Sequence, residues 1–155
     1  MPSSLVIISG GQTGVDRGAL DAALALGKPC GGWCPKGRLA EDGRIPDRYP
    51  LEEVDAGYPE RTRRNAEDSD GTLIIHFGSV SGGTLVTKQI TEQLGKPVCL
   101  VDGSKLAARF AANAVRTFVE THSIQRLNVA GPRASREPNA YGYACAMIDV
   151  LLRTL

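Results

Sequence analysis

Two stretches carry the residue types best suited to grip an anion: Ser9-Gly10-Gly11-Gln12-Thr13-Gly14 and Ser81-Gly82-Gly83-Thr84. Each follows an apolar run of strand length (Leu5 to Ile8, and Leu73 to Ile75). Each also precedes apolar residues at helical spacing: Val15, Ala19, Ala22, Ala23 and Leu26 after the first, Leu85, Ile90 and Leu94 after the second. A strand that turns through glycines into a helix aims several backbone N–H groups outward, where phosphate or another anion is favoured. A plain tight turn has the same pattern, so both readings stand. The first stretch is no Walker A loop, since no Lys-Ser/Thr pair follows its last glycine. Against G-x-G-x-x-G it has Ser9 at the first glycine. Where a dinucleotide site wants an acid about 20 residues on, this chain offers Lys36 and Arg38. NAD is therefore disfavoured.

Side chains near these turns extend the candidate site. Gln12 and Thr13 could add polar contacts to a phosphate. Asp16 stands in the first helical turn, where a carboxylate serves the helix dipole, a ligand or catalysis; it is the leading candidate catalyst, and Glu41 or Asp42 could serve from another loop. Lys36 and Arg38, and Arg133 and Ser135 in the basic loop 131–138, could neutralise phosphate or simply be solvated. Residues 58–69 read as a helix whose only apolar members are Tyr58 and Ala66. Tyr58, Arg61, Thr62 and Asn65 share one of its faces. That polar face either meets a ligand or belongs to a solvated connector whose arginines answer Glu67, Asp68 and Asp70. His76 reads as a packed histidine, and His122 as a partner of a helix C-terminus. Cys30, Cys34, Cys99 and Cys145 lack zinc or redox spacing and read as buried thiols.

These residues need a frame that brings them together. The chain has 155 residues, one domain spanning 1–155, with 42% hydrophobic and 23% charged residues. A net charge of +1 gives no case for nucleic acid, and no apolar run reaches the ~18 residues of a membrane helix; a cytoplasmic protein is expected. Strands at 5–8, 30–34, 71–77, 98–101 and 126–130 alternate with helices after Gly14 and at 58–69, 84–94, 104–122 and 139–153. Such alternation predicts a parallel sheet with right-handed crossovers. The expected fold is an α/β, Rossmann-like three-layer sandwich with five parallel strands in the order 2-1-3-4-5. Both glycine turns and both basic loops then meet on one rim at the switch point. Residues 35–57 form a long, proline-bearing loop placed to act as a lid over the first turn.

The blocks Gly-Gly-Gln-Thr-Gly-Val-Asp-Arg-Gly-Ala-Leu-Asp-Ala-Ala (10–23) and Gly-Gly-Trp-Cys-Pro-Lys-Gly-Arg (31–38) resemble the molybdenum cofactor carrier family. That family is a circularly permuted Rossmann-like branch related to the lysine-decarboxylase-like, nucleotide-binding group. The resemblance continues through Ala40 to Gly43, Ile45-Pro46, Tyr49 to Leu51, Arg61-Thr62, Asn65, Ser69 to Thr72, and Ser81 to Thr84 with Thr87. It implies a five-stranded Rossmann-like sheet and a protein that binds or carries a phosphorylated pterin, the molybdenum cofactor, or a nucleotide-like ligand. No metal bound directly by the protein is expected. The alternative is a hydrolase or transferase acting on a nucleotide-derived ligand. Related phosphoribohydrolases carry P-G-G-x-G-T-x-x-E, and here Thr87 stands where that glutamate would be. A hydroxyl cannot replace a carboxylate in acid–base work at neutral pH, so the carrier reading leads. A homo-oligomer stays open.

Overall fold

The computed structural model describes residues 4–155. In chain order the elements are β1 (Val6–Ile8), α1 (Val15–Ala25), β2 (Cys30–Gly31), β3 (Trp33–Pro35), β4 (Leu39–Ala40), β5 (Gly43–Arg44), β6 (Glu52–Val54), α2 (Tyr58–Glu67), β7 (Gly71–His76), α3 (Gly82–Leu94), β8 (Val98–Asp102), α4 (Ala108–Thr121), β9 (Arg126–Ala130) and α5 (Ala140–Thr154). Five of the strands make one parallel sheet. On one face Ile7, Leu73, Ile75, Val101, Leu127 and Val129 bury against Val15, Ala19, Val115, Met147, Ile148 and Leu151 of α1, α4 and α5. The helices α2 and α3 pack on each other. Their buried residues, Asn65, Ala66, Thr84, Thr87, Ile90 and Thr91, are mostly polar. No described helix is long and apolar enough to cross a membrane.

The sheet order is β2-β1-β9-β7-β8, which corrects the expected 2-1-3-4-5: the last strand inserts between the first and third sequence-predicted strands. The cause is where the chain is cut. Counted from β7 onward, with the C-terminal helix leading back into β1, the same sheet reads 2-1-3-4-5. Steps β1→β2 and β7→β8 move in opposite directions along the sheet, so right-handed crossovers place α1 and α3 on opposite faces. The switch point opens beside β9, between the ends of β1 and β7.

The segment expected as one strand over 30–34 is two. Gly32 sits at φ 144°, and a Cβ there would lie 1.9 Å from the Ser9 carbonyl oxygen. The close crossing ends β2 and sends Trp33–Pro35 into a separate parallel pair with β6. Beyond it, β4 and β5 form a short hairpin. Ile45, Tyr49 and Leu51 are buried with Leu20 and Cys34 in a second small core. The lid is thus a packed flap on α1. Cys34 is buried and the other three cysteines half-buried, all four as free thiols.

Candidate functional site

A cavity of about 530 Å³ lies at the carboxyl ends of the central strands, where Gly10 follows β1, His76 ends β7 and Asn128 to Pro132 close β9. Such a volume suits a small organic ligand. Of the sequence-predicted residues, Gly10, Gln12, Asp16, Arg61, Asn65, Ser81, Gly83, Thr84 and Arg133 border it. So do Tyr58 and Thr62, which places the whole polar face read from α2 on the cavity wall. Gly11, Thr13, Gly14, Lys36, Arg38, Gly82 and Ser135 lie outside that lining.

The first glycine turn is occupied by its own protein. The Gln12 amide donates to Asp16 Oδ2 at 3.1 Å, and the Thr13 amide to Gln12 Oε1 at 3.0 Å. The Val15 amide donates to the Pro132 carbonyl. The Thr13 hydroxyl donates to Glu41 and accepts the Ala134 amide at 3.1 Å. Glu41 also accepts the Ser135 amide at 3.1 Å and the Ser135 hydroxyl at 2.5 Å, with Arg133 Nε 3.6 Å away. Thr13, Arg133 and Ser135 therefore converge as expected, but on a carboxylate of the flap. These hydroxyls hold Glu41 below the usual carboxylate range. Arg17 adds a second tie, with Nε on the Gly11 carbonyl at 3.1 Å and its fork on Asp42.

Two basic candidates turn away from the cavity. Arg38 is buried in the flap and donates to the carbonyls of Ile45, Pro46, Tyr49 and Leu51. A guanidinium has five N–H donors in a planar fork, which suits this ring of carbonyls from a tight loop. Lys36 is exposed and lies 3.8 Å from Asp55. Asn65 lines the cavity while bracing it: Oδ1 accepts the Trp33 amide at 2.8 Å and Nδ2 donates to the Trp33 carbonyl at 3.1 Å.

The second glycine turn is open. Ser81 makes no side-chain cap on α3. The Leu85 amide bonds the Ser81 carbonyl, whereas those of Gly82, Gly83 and Thr84 meet no acceptor among the described residues. The first N–H groups of a helix are orphans that an anion satisfies. Arg136 lies against this turn, since a Cβ on Gly82 would come within 3.0 Å of its Nη1. Arg136 lines the cavity and has no ion pair among the described residues. It was not singled out in the sequence; its place one turn beyond Arg133, whose carbonyl accepts its amide at 3.0 Å, was the available signal. Tyr58 Oη donates to the Gly83 carbonyl at 3.1 Å, docking α2 on the start of α3. The Thr87 hydroxyl donates to the same carbonyl at 3.0 Å and lies 3.3 Å from Tyr58 Oη.

Asp16 is the titratable group of note. Burial of its carboxyl raises it from 3.8 to about 7, against the opposing pull of the Gln12 amide, Ser9, Arg17 and the Gly10 amide. Among the described residues no three His, Cys, Asp or Glu side chains converge as a metal site.

No curated protein matches this chain. Among solved structures, that of a proposed molybdenum carrier protein from Syntrophus aciditrophicus SB is 45% identical and superposes with a TM-score of 0.93, over 97% of this chain and 96% of that one. Residues 7–152 match the circularly permutated YpsA SLOG family, and the strand order found here is what a permuted chain produces. The chain belongs to that family.

Proposed function

We propose that this protein binds and carries a small phosphorylated ligand of pterin type, such as the molybdenum cofactor, or of nucleotide type, in the cytoplasm. The observation that carries the reading is the open start of α3: three backbone N–H groups that meet no acceptor among the described residues, beside the Arg136 guanidinium, which has no ion pair among them, at the switch point of the sheet. The phosphate sits there, with Arg61 and Arg133 adding positive charge, and the ring lies in the cavity beneath the polar face of α2. The family and the relative's description support a carrier. Thr87, bonded back to Gly83, leaves the second loop without a carboxylate for glycosidic chemistry.

A second reading, hydrolysis or group transfer on the same ligand, draws on Asp16, a cavity carboxyl raised to about 7 and so poised for acid–base work.

The test is titration calorimetry with pyrophosphate, AMP, GMP and a pterin phosphate, alongside an assay for their turnover. Arg136→Ala is expected to weaken binding about 10- to 50-fold, as loss of a charge-assisted phosphate contact does, with no turnover by wild type. Unchanged affinity in Arg136→Ala would remove the phosphate seat. Turnover that disappears in Asp16→Asn with binding intact would replace the carrier by the enzyme.

A further inference from the structure

Across the cavity from α3 lies a notch whose polar atoms are nearly all acceptors. Gly10 is not among the glycines at positive φ, so its backbone would accept any residue; its role there is to leave space. A Cβ on Gly10 would stand 3.2 Å from Asp16 Oδ2, 3.6 Å from Asn65 Nδ2 and 3.7 Å from the Trp33 carbonyl oxygen. All four residues line the cavity. The Asn65 amide is engaged at both ends by the Trp33 backbone, which leaves the Asp16 carboxyl to meet a ligand. Asp16 Oδ2 accepts the Gln12 amide, Ser9 and the Gly10 amide also pull on the carboxyl, and a carboxylate has about four acceptor sites.

From this geometry we infer that the Gly10–Asp16 notch reads a heterocycle edge carrying two neighbouring N–H donors, and so selects 2-amino-oxo rings of guanine or pterin type over adenine. The inference rests on the phosphate seat proposed above. The span supports it. Gly10 follows β1 and α3 follows β7, with β9 between them, so the notch and the seat are about 10 Å apart along the sheet, two strand spacings. A ribose diol lies too near its phosphate to bridge that distance, whereas the far edge of a fused ring reaches it. A 2-amino-oxo edge offers a ring N–H and an amino N–H side by side, matching the two oxygens of a carboxylate. Adenine offers an amino group beside a ring acceptor, which would face the carboxylate with like polarity. Two such donors also favour the ionised form of a carboxyl that burial raises to about 7.

The experiment compares GMP, IMP, AMP and pyrophosphate on wild type, Asp16→Asn and Gly10→Ala, with thermal melts to confirm folding. Wild type is expected to prefer GMP over AMP about 10- to 100-fold, the range of one bidentate pairing, with IMP between them. Asp16→Asn, which turns one acceptor into a donor, and Gly10→Ala, which fills the notch, should each remove the preference and leave pyrophosphate affinity unchanged. Equal affinity of wild type for all three nucleotides overturns the inference while the phosphate seat stands. Loss of all three alike in Asp16→Asn also overturns it, because the carboxyl would then touch the shared ribose. Failure of wild type to bind pyrophosphate or any nucleotide sinks the phosphate seat itself, and the inference with it.

Discussion

At the end of β1 the amides of Gln12, Thr13 and Val15 reach Asp16, the Gln12 side chain and the Pro132 carbonyl. At the end of β7 the amides of Gly82, Gly83 and Thr84 meet no acceptor among the described residues. Both junctions read strand, glycines, helix, and the first has the longer motif. The difference lies in what covers them. Ile45 and Leu51 of the flap press on Gly11, and the backbone of residues 132–134 presses on Gly14; at the second turn the nearest groups are the Arg136 and Tyr58 side chains. A glycine turn into a helix thus offers N–H groups that a protein can use for its own assembly or leave for a ligand. Counting the fold from β7, the open junction is the one after the first strand. In that order it holds the place where open α/β sheets bind phosphate.

The largest effect that could break this contrast is a pair of alanine substitutions. Gly14 has φ 80°, and a Cβ would stand 2.4 Å from the Pro132 carbonyl oxygen and 2.8 Å from two further backbone atoms. None of these is the end of a flexible side chain. Gly14→Ala should cost about 5 kcal/mol, at the severe end for single substitutions, and lower Tm by roughly 15 °C. At Gly83 the obstacle is Tyr58 Oη at 2.8 Å, which can swing aside, so Gly83→Ala should move Tm by only about 2 °C while weakening phosphate binding. Thermal melts with matched calorimetry decide it. Similar Tm losses at the two sites would erase the distinction between a structural and a binding turn.

Next in size is the pH dependence that Asp16 gives the first junction. Its folded value of about 7 lies above the ordinary 3.8. Between those values the unfolded chain has released the proton that the folded one keeps, so stability falls as pH rises through that window. The span corresponds to about 4 kcal/mol. Carboxylates held low by their partners, Glu41, Asp42 and Asp102, work in the opposite sense, so the informative quantity is wild type minus Asp16→Asn. Denaturant midpoints from pH 4.5 to 7.5 should show wild type losing ground to the variant as pH increases. Parallel curves would mean that the carboxyl is solvated and the first junction looser than described.

The strand–helix alternation was legible because apolar period and glycine punctuation are local. So was the face of α2: Tyr58, Arg61, Thr62 and Asn65 stand at helical spacing in a helix too polar to pack on a sheet, and all four reach the cavity. Arg38 was not legible. A loop arginine four residues beyond Cys34 looks like a phosphate ligand, and only the folded course of residues 45–51 supplies the four carbonyls that claim it. Strand order was hidden for a different reason. Local pattern is the same in a chain and its permutation, while order depends on where the ends fall. The break at Gly32 likewise depends on a crossing with Ser9, over 20 residues away.

The smallest expected effect concerns what closes the first junction. Glu41 sits in the turn between β4 and β5 and joins the flap to Thr13, Ser135 and Arg133. Its hydroxyl partners hold it below the usual carboxylate range, so its contribution is present above the ordinary carboxylate pKa and fades as pH falls through the lowered value. The flap has deeper anchors in the Arg38 carbonyl ring, the Arg17–Asp42 pair and the buried Ile45, Tyr49 and Leu51. Glu41→Ala should therefore leave Tm nearly unchanged and raise cleavage within residues 36–56 roughly two- to fivefold, the scale of one exposed ion-paired contact. Wild type should approach the variant's cleavage rate in an acid-tolerant protease assay as the pH drops below the ordinary carboxylate range. Phosphate affinity at the second junction should not change in Glu41→Ala. If instead the variant gained a new phosphate site, the Glu41 carboxylate would prove to be filling an anion seat. The two junctions would then differ only in which anion each holds.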